Sequence, residues 1–453
     1  MRHPMRKFLP ILVVALVLAG CSSGSSTRGG SPPPTYPFSA ANTFQFVHEF
    51  GTNTNPGATD IPGDAITGLQ ADGSGNLLLA GSTHGNLPGY SNEGIINKGA
   101  LYKLDANGNR IWAKELSSGV WDEFDGLVVT SSGIFVVGDT MGAYPGASNP
   151  NGIDEAFVAE YDSLGNLLWV KQYAPTQPVL PQALCADSSG NLIFAGEIYD
   201  SAGGQDLFVQ KVDSSGNTLW EMTYGNDASD LMNGISVDAN GDIYAVGSVS
   251  GPFPGNQTAT IAQPFVLKLD GATGATVWLQ QFGDSSIFPI FYPSDIQAVP
   301  GGKLDLFGGN VLNSSGLPDT QFEAMQMDAA TGSALWHFQF GGAVGNIPGL
   351  LIVDPNGNIY ATGITEEALA SGYSSNTPQD IFLAKIDSSG NGVWVQHFGA
   401  GLDGPPLIES LWVPFYLTLG NQGVYIGGMT RGQFPGFSNP NQYTNLFLAK
   451  FGL

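Results

Sequence analysis

The chain has 453 residues, 63 of them glycine, and sets only 15 basic against 39 acidic side chains, a net charge of −24 at neutral pH. So acidic a surface repels polyanions, which argues against nucleic acid and anionic lipid as direct partners. Two cysteines give no disulfide framework.

Arg2, Arg6 and Lys7 precede an apolar run over residues 8–19 that is too short for a transmembrane helix and reads as an export signal covering residues 1–20. It closes with Leu18-Ala19-Gly20-Cys21, which resembles the bacterial lipobox, where the cysteine is acylated and becomes the first mature residue. Cys21 is therefore the expected lipidation site. Ser22 and Ser23 follow with no Asp behind the cysteine, which in enterobacterial sorting implies the outer membrane, on its periplasmic side or at the cell surface. Cleavage leaves 12 basic against 39 acidic residues and a mature charge of −27. Residues 22–43, rich in Ser, Gly, Thr and Pro, cannot bury apolar area; with the lipidated cysteine they make a flexible tether reaching roughly 25 Å.

Over residues 44–453 one phrase recurs: Arg110-Ile111-Trp112, Leu168-Trp169, Leu219-Trp220, Val277-Trp278, Leu335-Trp336 and Val393-Trp394, spaced 57, 51, 58, 58 and 58 residues apart. A fixed period of this size, built from short apolar runs and Gly/Asn turns, predicts a radial β array. In the first unit strand A spans Ile66 to Ala71, B Leu77 to Ser82, C Leu101 to Leu104 and D Ile111 to Leu116. The A–B turn Asp72 to Asn76 and the C–D turn Asp105 to Asn109 have hairpin chemistry, with Asp bonding its own turn and Gly at positive φ. Seven A–B hairpins can be counted, at Gly75, Gly133, Gly190, Gly241, Gly302, Gly357 and Gly423, yet only six Trp-bearing D strands follow them. The segment from Phe44 to Gly51 aligns with Val393 to Gly399, with Phe46 in the Trp place. The sequence therefore predicts an all-β, seven-bladed β-propeller of four-stranded blades, the last closed by the N-terminal strand.

Asp154-Glu155-Ala156-Phe157-Val158-Ala159, Asp206-Leu207-Phe208-Val209 and Asp380-Ile381-Phe382-Leu383-Ala384-Lys385, with the recurring Gly-Asn turns, resemble the bacterial propeller repeats often called SBBP repeats. The resemblance covers about residues 44–453 and implies an exported bacterial propeller with no shared catalytic residues. Asp270-Gly271-Ala272-Thr273-Gly274-Ala275-Thr276-Val277-Trp278 and its counterpart ending in Trp336 are similar to the tryptophan-docking motif of pyrroloquinoline-quinone dehydrogenases. Those enzymes place an adjacent Cys-Cys pair over the cofactor, and this chain has no such pair. The phrase is read as tying blade to blade.

With tight A–B and C–D turns on one face, the long B–C and D–A connections must emerge on the other, the expected binding surface. Several B–C loops carry an apolar-Pro-Gly phrase, which marks Leu87, Tyr90, Tyr144, Phe253, Phe434 and Phe437 as candidate binding residues. They are read either as a platform for a glycan or peptide or as side chains folded inward to pin their own loops. Asp64, Asp122 and Asp230 would start strands around the channel mouth, either as a seat for Ca²⁺ or as strand caps. No other cofactor is expected. Cys185, in an apolar strand, reads as a small core residue. His48, His337 and His397 fall on D strands and His84 stands alone in a loop; no nucleophile elbow, zinc-protease helix or Cys/His ligand spacing occurs. The expectation is a monomeric, non-enzymatic envelope lipoprotein binding a protein or carbohydrate. The alternatives are a periplasmic outer-membrane assembly scaffold and, in another class, a quinoprotein-like or other propeller enzyme.

Overall fold

An aspartate closes most of the tight hairpins. Asp72 Oδ1 accepts the N–H groups of Ser74 and Asn76, while Oδ2 accepts the Asn76 side-chain amide, at 2.8–3.0 Å. The same three bonds recur at Asp105, Asp162, Asp187, Asp213, Asp354 and Asp387. The glycine each turn requires sits at positive φ, from 76° at Gly216 to 85° at Gly390, where a Cβ would be strained.

The computed structural model describes residues 37–40, 43–50, 65–85, 87, 90, 97–173, 177–199, 204–225, 230–250, 262–282, 290–311, 320–342, 346–371, 380–398, 415–430 and 445–453. Strands β1 (Ser39–Ala40) and β2 (Phe44–Phe50) precede the repeats. Blade 1 holds β3 (Ala65–Ala71), β4 (Leu77–Thr83), β5 (Lys98–Leu104) and β6 (Arg110–Leu116). Blade 2 holds β7 (Asp122–Val129), β8 (Ile134–Thr140), β9 (Glu155–Tyr161) and β10 (Leu167–Tyr173). Blade 3 holds β11 (Val179–Ala186), β12 (Leu192–Tyr199), β13 (Gln205–Val212) and β14 (Thr218–Tyr224). Blade 4 holds β15 (Leu231–Val237), β16 (Ile243–Ser250), β17 (Ala262–Leu269) and β18 (Thr276–Gln281). Blade 5 holds β19 (Ile290–Val299), β20 (Lys303–Val311), β21 (Thr320–Asp328) and β22 (Ala334–Phe340). Blade 6 holds β23 (Ile347–Val353), β24 (Ile359–Thr365), β25 (Asp380–Ile386) and β26 (Gly392–Phe398). Blade 7 holds β27 (Tyr416–Gly420), β28 (Gly423–Thr430) and β29 (Asn445–Phe451).

The first six repeats each form an antiparallel A-B-C-D sheet and the seventh supplies strands A to C. The A strands touch in sequence around an axis, β27 returning to β3, so the seven sheets close into a ring. Blade 7 takes its outer strand from the other end of the chain: β2 pairs antiparallel with β29, Val47 opposite Ala449 and Phe44 opposite Phe451. The protein is a seven-bladed β-propeller closed by its N-terminal strand, as the alignment of Phe44 to Gly51 with the D strands predicts.

Blades are joined by the tryptophan phrase. Trp112, Trp220 and Trp278 donate Nε1–H to the carbonyls of Ser163, Gly271 and Ala329 in the next blade's C–D turn, at 3.2–3.3 Å. Lys103, Lys211 and Lys268 donate to the same three carbonyls. Each lysine also pairs with an aspartate of its own A–B turn, Asp72, Asp187 or Asp242, at 2.8–2.9 Å. The turn glycine lies against the tryptophan: a Cβ at Gly216 would meet Trp169, one at Gly274 Trp220 and one at Gly390 Trp336. The phrase thus ties blade to blade.

Near the axis a second tie appears that the sequence does not announce. Strand A carries a β-bulge at one register in the first five blades, for example between Ile66 and Gly68 and between Met232 and Gly234. The bulge side chains Thr67, Asn233 and Ser294 donate to Phe124, Pro293 and Gly349 carbonyls of the following blade. Further along the strand, Gln70, Ser236, Gln297 and Thr418 accept the N–H groups of Val129, Ala298, Val353 and Ala71 across the same junctions.

The packed body begins earlier than the tether boundary at residue 43 implies. Phe38 is 5% exposed, meets Phe338 and Phe340 edge-on, and leads into β1, which adds to β26 in parallel, Ser39 opposite Trp394.

Candidate binding face

Antiparallel pairing puts the A–B and C–D turns on one face and the B–C and D–A connections on the other. On the turn face most polar groups are consumed locally. Burial alone would raise Asp187, but Lys211 and the Asn191 side chain and N–H outweigh it and hold the carboxyl below its ordinary range. A cavity of about 430 Å³ between blades 3 and 4 opens here, lined by Asp187, Lys211, Trp220 and Asn240 among others. The first three of these already bond to one another or to Gly271.

On the opposite face the long connections leave the blades at 84–97, 141–154, 200–204, 251–261, 312–319, 366–379 and 431–444 on the B–C side. Three share a clamp at their base. The side chain three residues after the docking tryptophan, Glu115, Gln172 or His397, accepts a loop N–H, from Leu87 (2.6 Å), Tyr144 (3.1 Å) or Leu369 (3.3 Å). That side chain in turn contacts the first residue of strand C: Lys98–Glu115 at 2.8 Å, Gln172–Glu155 at 2.6 Å and His397–Asp380 at 3.4 Å. His397 is therefore a structural clamp. The signal was present as a polar residue at a fixed offset from each tryptophan, and its varying identity hid it.

Of the two readings of these loops, the clamps support inward pinning at Leu87 and Tyr144. Leu87 is 2% and Tyr144 3% exposed; both fold inward and pin their loops. Tyr144 packs on Phe157 and donates its hydroxyl to Asp122 Oδ1 at 2.9 Å. Burial, then the Asp122 charge, push its phenol far above the ordinary range. Tyr90 alone of the described candidates presents its ring, 39% exposed; Phe253, Phe434 and Phe437 lie outside the described residues. His84, expected to stand alone, is buried edge-on against Trp121.

Asp122 likewise bonds groups of its own neighbourhood. Oδ1 also accepts the Thr140 hydroxyl at 2.6 Å, and Oδ2 accepts the Ser118 N–H at 2.7 Å, so both oxygens cap their own blade. Asp230 is 1% exposed and Asp64 lies outside the described residues. Among the described residues no three potential ligands converge. We expect Tyr144→Phe, which removes one partner from the buried Asp122, to cost about 1–3 kcal/mol; a chemical-denaturation midpoint equal to wild type would contradict the pinning role.

Other buried acids do lie near the axis. Burial raises Glu197 to about 7, against hydrogen bonds from the Met232 N–H and the Gln182 amide. It raises Asp295 to about 6, against the N–H groups of Leu351 and Ile296. Each carboxylate clasps the next blade's A strand. Cys185 packs at the junction of blades 3 and 4, its thiol pushed up to about 12 by burial and by Asp187, as a core residue should be.

No protein-family model matches the chain. It is similar to the regulatory protein FlaEY of Caulobacter vibrioides, 21% identical over 170 residues covering 33% of this chain and 18% of that protein. It is also similar to an uncharacterized WD repeat-containing protein of Acanthamoeba polyphaga mimivirus, 23% identical over 188 residues covering 36% and 13%. The chain thus spans under a fifth of the length of these curated relatives. Among solved structures, YCF48 bound to a peptide superposes with a TM-score of 0.49 at 12% identity, over 93% of this chain and 99% of that one.

Proposed function

We propose that the protein is a non-enzymatic, lipid-anchored envelope propeller that engages a protein or carbohydrate partner through the face carrying its long connections. One observation carries the reading: the turn aspartates satisfy their own hairpins, whereas the opposite ends of the same strands launch connections that differ in length and sequence from blade to blade. Rigid strands presenting variable loops are a common way to build recognition. The anchor part rests on the Leu18-Ala19-Gly20-Cys21 box and on the likeness to exported bacterial repeats. A periplasmic assembly scaffold is the second reading, favoured if protease shaving of intact cells leaves the protein untouched.

The test uses the mature protein and a variant that combines Tyr90→Ala with replacement of the mostly exposed residues 145–152 by a Gly-Ser segment, leaving the buried Leu87 and Tyr144 in place. A partner cross-linked in the native envelope should be retained by the first and lost by the second; equal retention would move the binding surface elsewhere. Cys21→Ala should abolish partitioning into detergent, because each buried acyl CH₂ contributes about 0.8 kcal/mol. Unchanged partitioning would remove the anchor.

A further inference from the structure

The outer strand of a propeller blade is an open sheet edge, and in blade 6 the chain covers that edge with its own N-terminal segment. The seat is particular to this blade. β26 begins with Gly392, where β6, β10, β14, β18 and β22 begin with Arg110, Leu167, Thr218, Thr276 and Ala334. A Cβ at Gly392 would lie 2.8 Å from the Phe338 ring and 2.9 Å from the Phe38 ring. The missing side chain thus opens a slot, walled by Phe338 and Phe340 of blade 5, into which Phe38 inserts. Behind it the segment is lightly held. Ser39 and Ala40 are exposed and pair over two residues, with one side-chain bond from Ser39 Oγ to the Val393 carbonyl at 2.8 Å. One buried aromatic, its parallel bridge to Ala370 and a two-residue ladder are the anatomy of strand-addition peptide recognition, in which backbone pairing supplies affinity and a side-chain pocket supplies specificity.

We propose that the groove between blades 5 and 6 is a peptide-binding site, closed in cis by Phe38–Ala40, which takes an extended Phe-small-small segment of another polypeptide when the chain's own segment lifts away. The site lies below the exposed loop surface and touches it where Phe38 bridges Ala370 of the 366–379 connection. A resident tethered occupant competes at high effective concentration, so foreign peptide binds with its affinity scaled down by the fraction of open groove.

The probe is a fluorescent peptide of residues 35–42, Thr-Tyr-Pro-Phe-Ser-Ala-Ala-Asn, titrated into full-length mature protein. Phe38→Asp, which expels the resident ring, should bind it saturably and at least about tenfold more tightly than wild type. A peptide with Ala in place of its Phe should not bind, nor should the Phe38→Asp/Gly392→Val double variant, whose slot is filled. Equal affinity of wild type and Phe38→Asp, or of the two peptides, overturns the proposal. Hydrogen exchange on wild type guards against misfolding of the variants: excess peptide should speed exchange at Ser39 and Ala40 while leaving β24 unchanged, and no change at those amides overturns the proposal equally.

Discussion

Deleting residues 22–50 is expected to destabilise the protein far more than deleting residues 22–36, and to leave it unable to complete its ring. The longer deletion removes β2, and β29 then presents its unpaired backbone edge to solvent. Val47 leaves the cluster it packs against, which includes Phe447, Ala449 and Phe451, and Phe44 leaves its edge contact with Phe451. Thr43 and Phe44 also release their N–H bonds to Gln396 of blade 6, so the junction between blades 6 and 7 loosens as well. An intermediate deletion of residues 22–40 removes, among the described residues, Phe38 alone from the core and should cost about 2–3 kcal/mol, the worth of one buried aromatic. Thermal midpoints should therefore fall in the order of the three truncations, with the longest at least twice the loss of the second or not folding. Equal midpoints for the 22–40 and 22–50 deletions would mean that the ring closes without β2.

The second large effect is an inverted pH dependence. Glu197 at about 7 and Asp295 at about 6 lie above their ordinary values of 4.5 and 3.8. The folded protein therefore binds these protons more tightly than the unfolded chain, and stability rises as pH falls from 8 toward about 4.5. For Glu197 the gain is on the order of 3 kcal/mol. The turn aspartates run the other way. Asp187, Asp354 and Asp387 are held below 3.8, so their contribution is complete above that value and is lost as pH drops through their folded values. Stability should peak on the acid side, between about pH 4 and 5, rather than near neutrality. Glu197→Gln keeps an acceptor for the Met232 N–H without the charge; it should raise the melting temperature at pH 8 and flatten the rise toward pH 5. A variant that melts with the wild-type profile would show that Glu197 does not set it.

Much of this architecture was legible because it is local. Asp72 to Asn76 and its repeats carry their turn in five consecutive residues, and the Trp period needs only counting. Ring closure was legible from the same phrase, since Phe46 stands where Trp394 stands. What stayed hidden depends on contacts between blades. Phe38 sits in a Ser/Gly/Pro-rich stretch that composition assigns to a tether, and its slot exists because Gly392 lacks a side chain, which a sequence reads as one more turn glycine. Asp122 looked like a channel ligand because its place at a strand start was visible, whereas the hydroxyls of Tyr144 and Thr140 that it accepts were not. Glu197 follows Gly196 in an apolar strand, a placement that could have marked it as a buried acid. The bulge residues Thr67, Asn233 and Ser294 share a register but no residue type, so no motif connects them.

Closure itself is tested most directly by a cross-link in the register of β2 and β29. Val47 and Ala449 are direct partners across that ladder, so Val47→Cys/Ala449→Cys, with Cys21 replaced, should form a disulfide under mild oxidation. The bond would join strands about 400 residues apart and should raise the melting temperature by constraining the unfolded chain. Two thiols that stay free and react with label in the folded protein would contradict closure by the N-terminal strand.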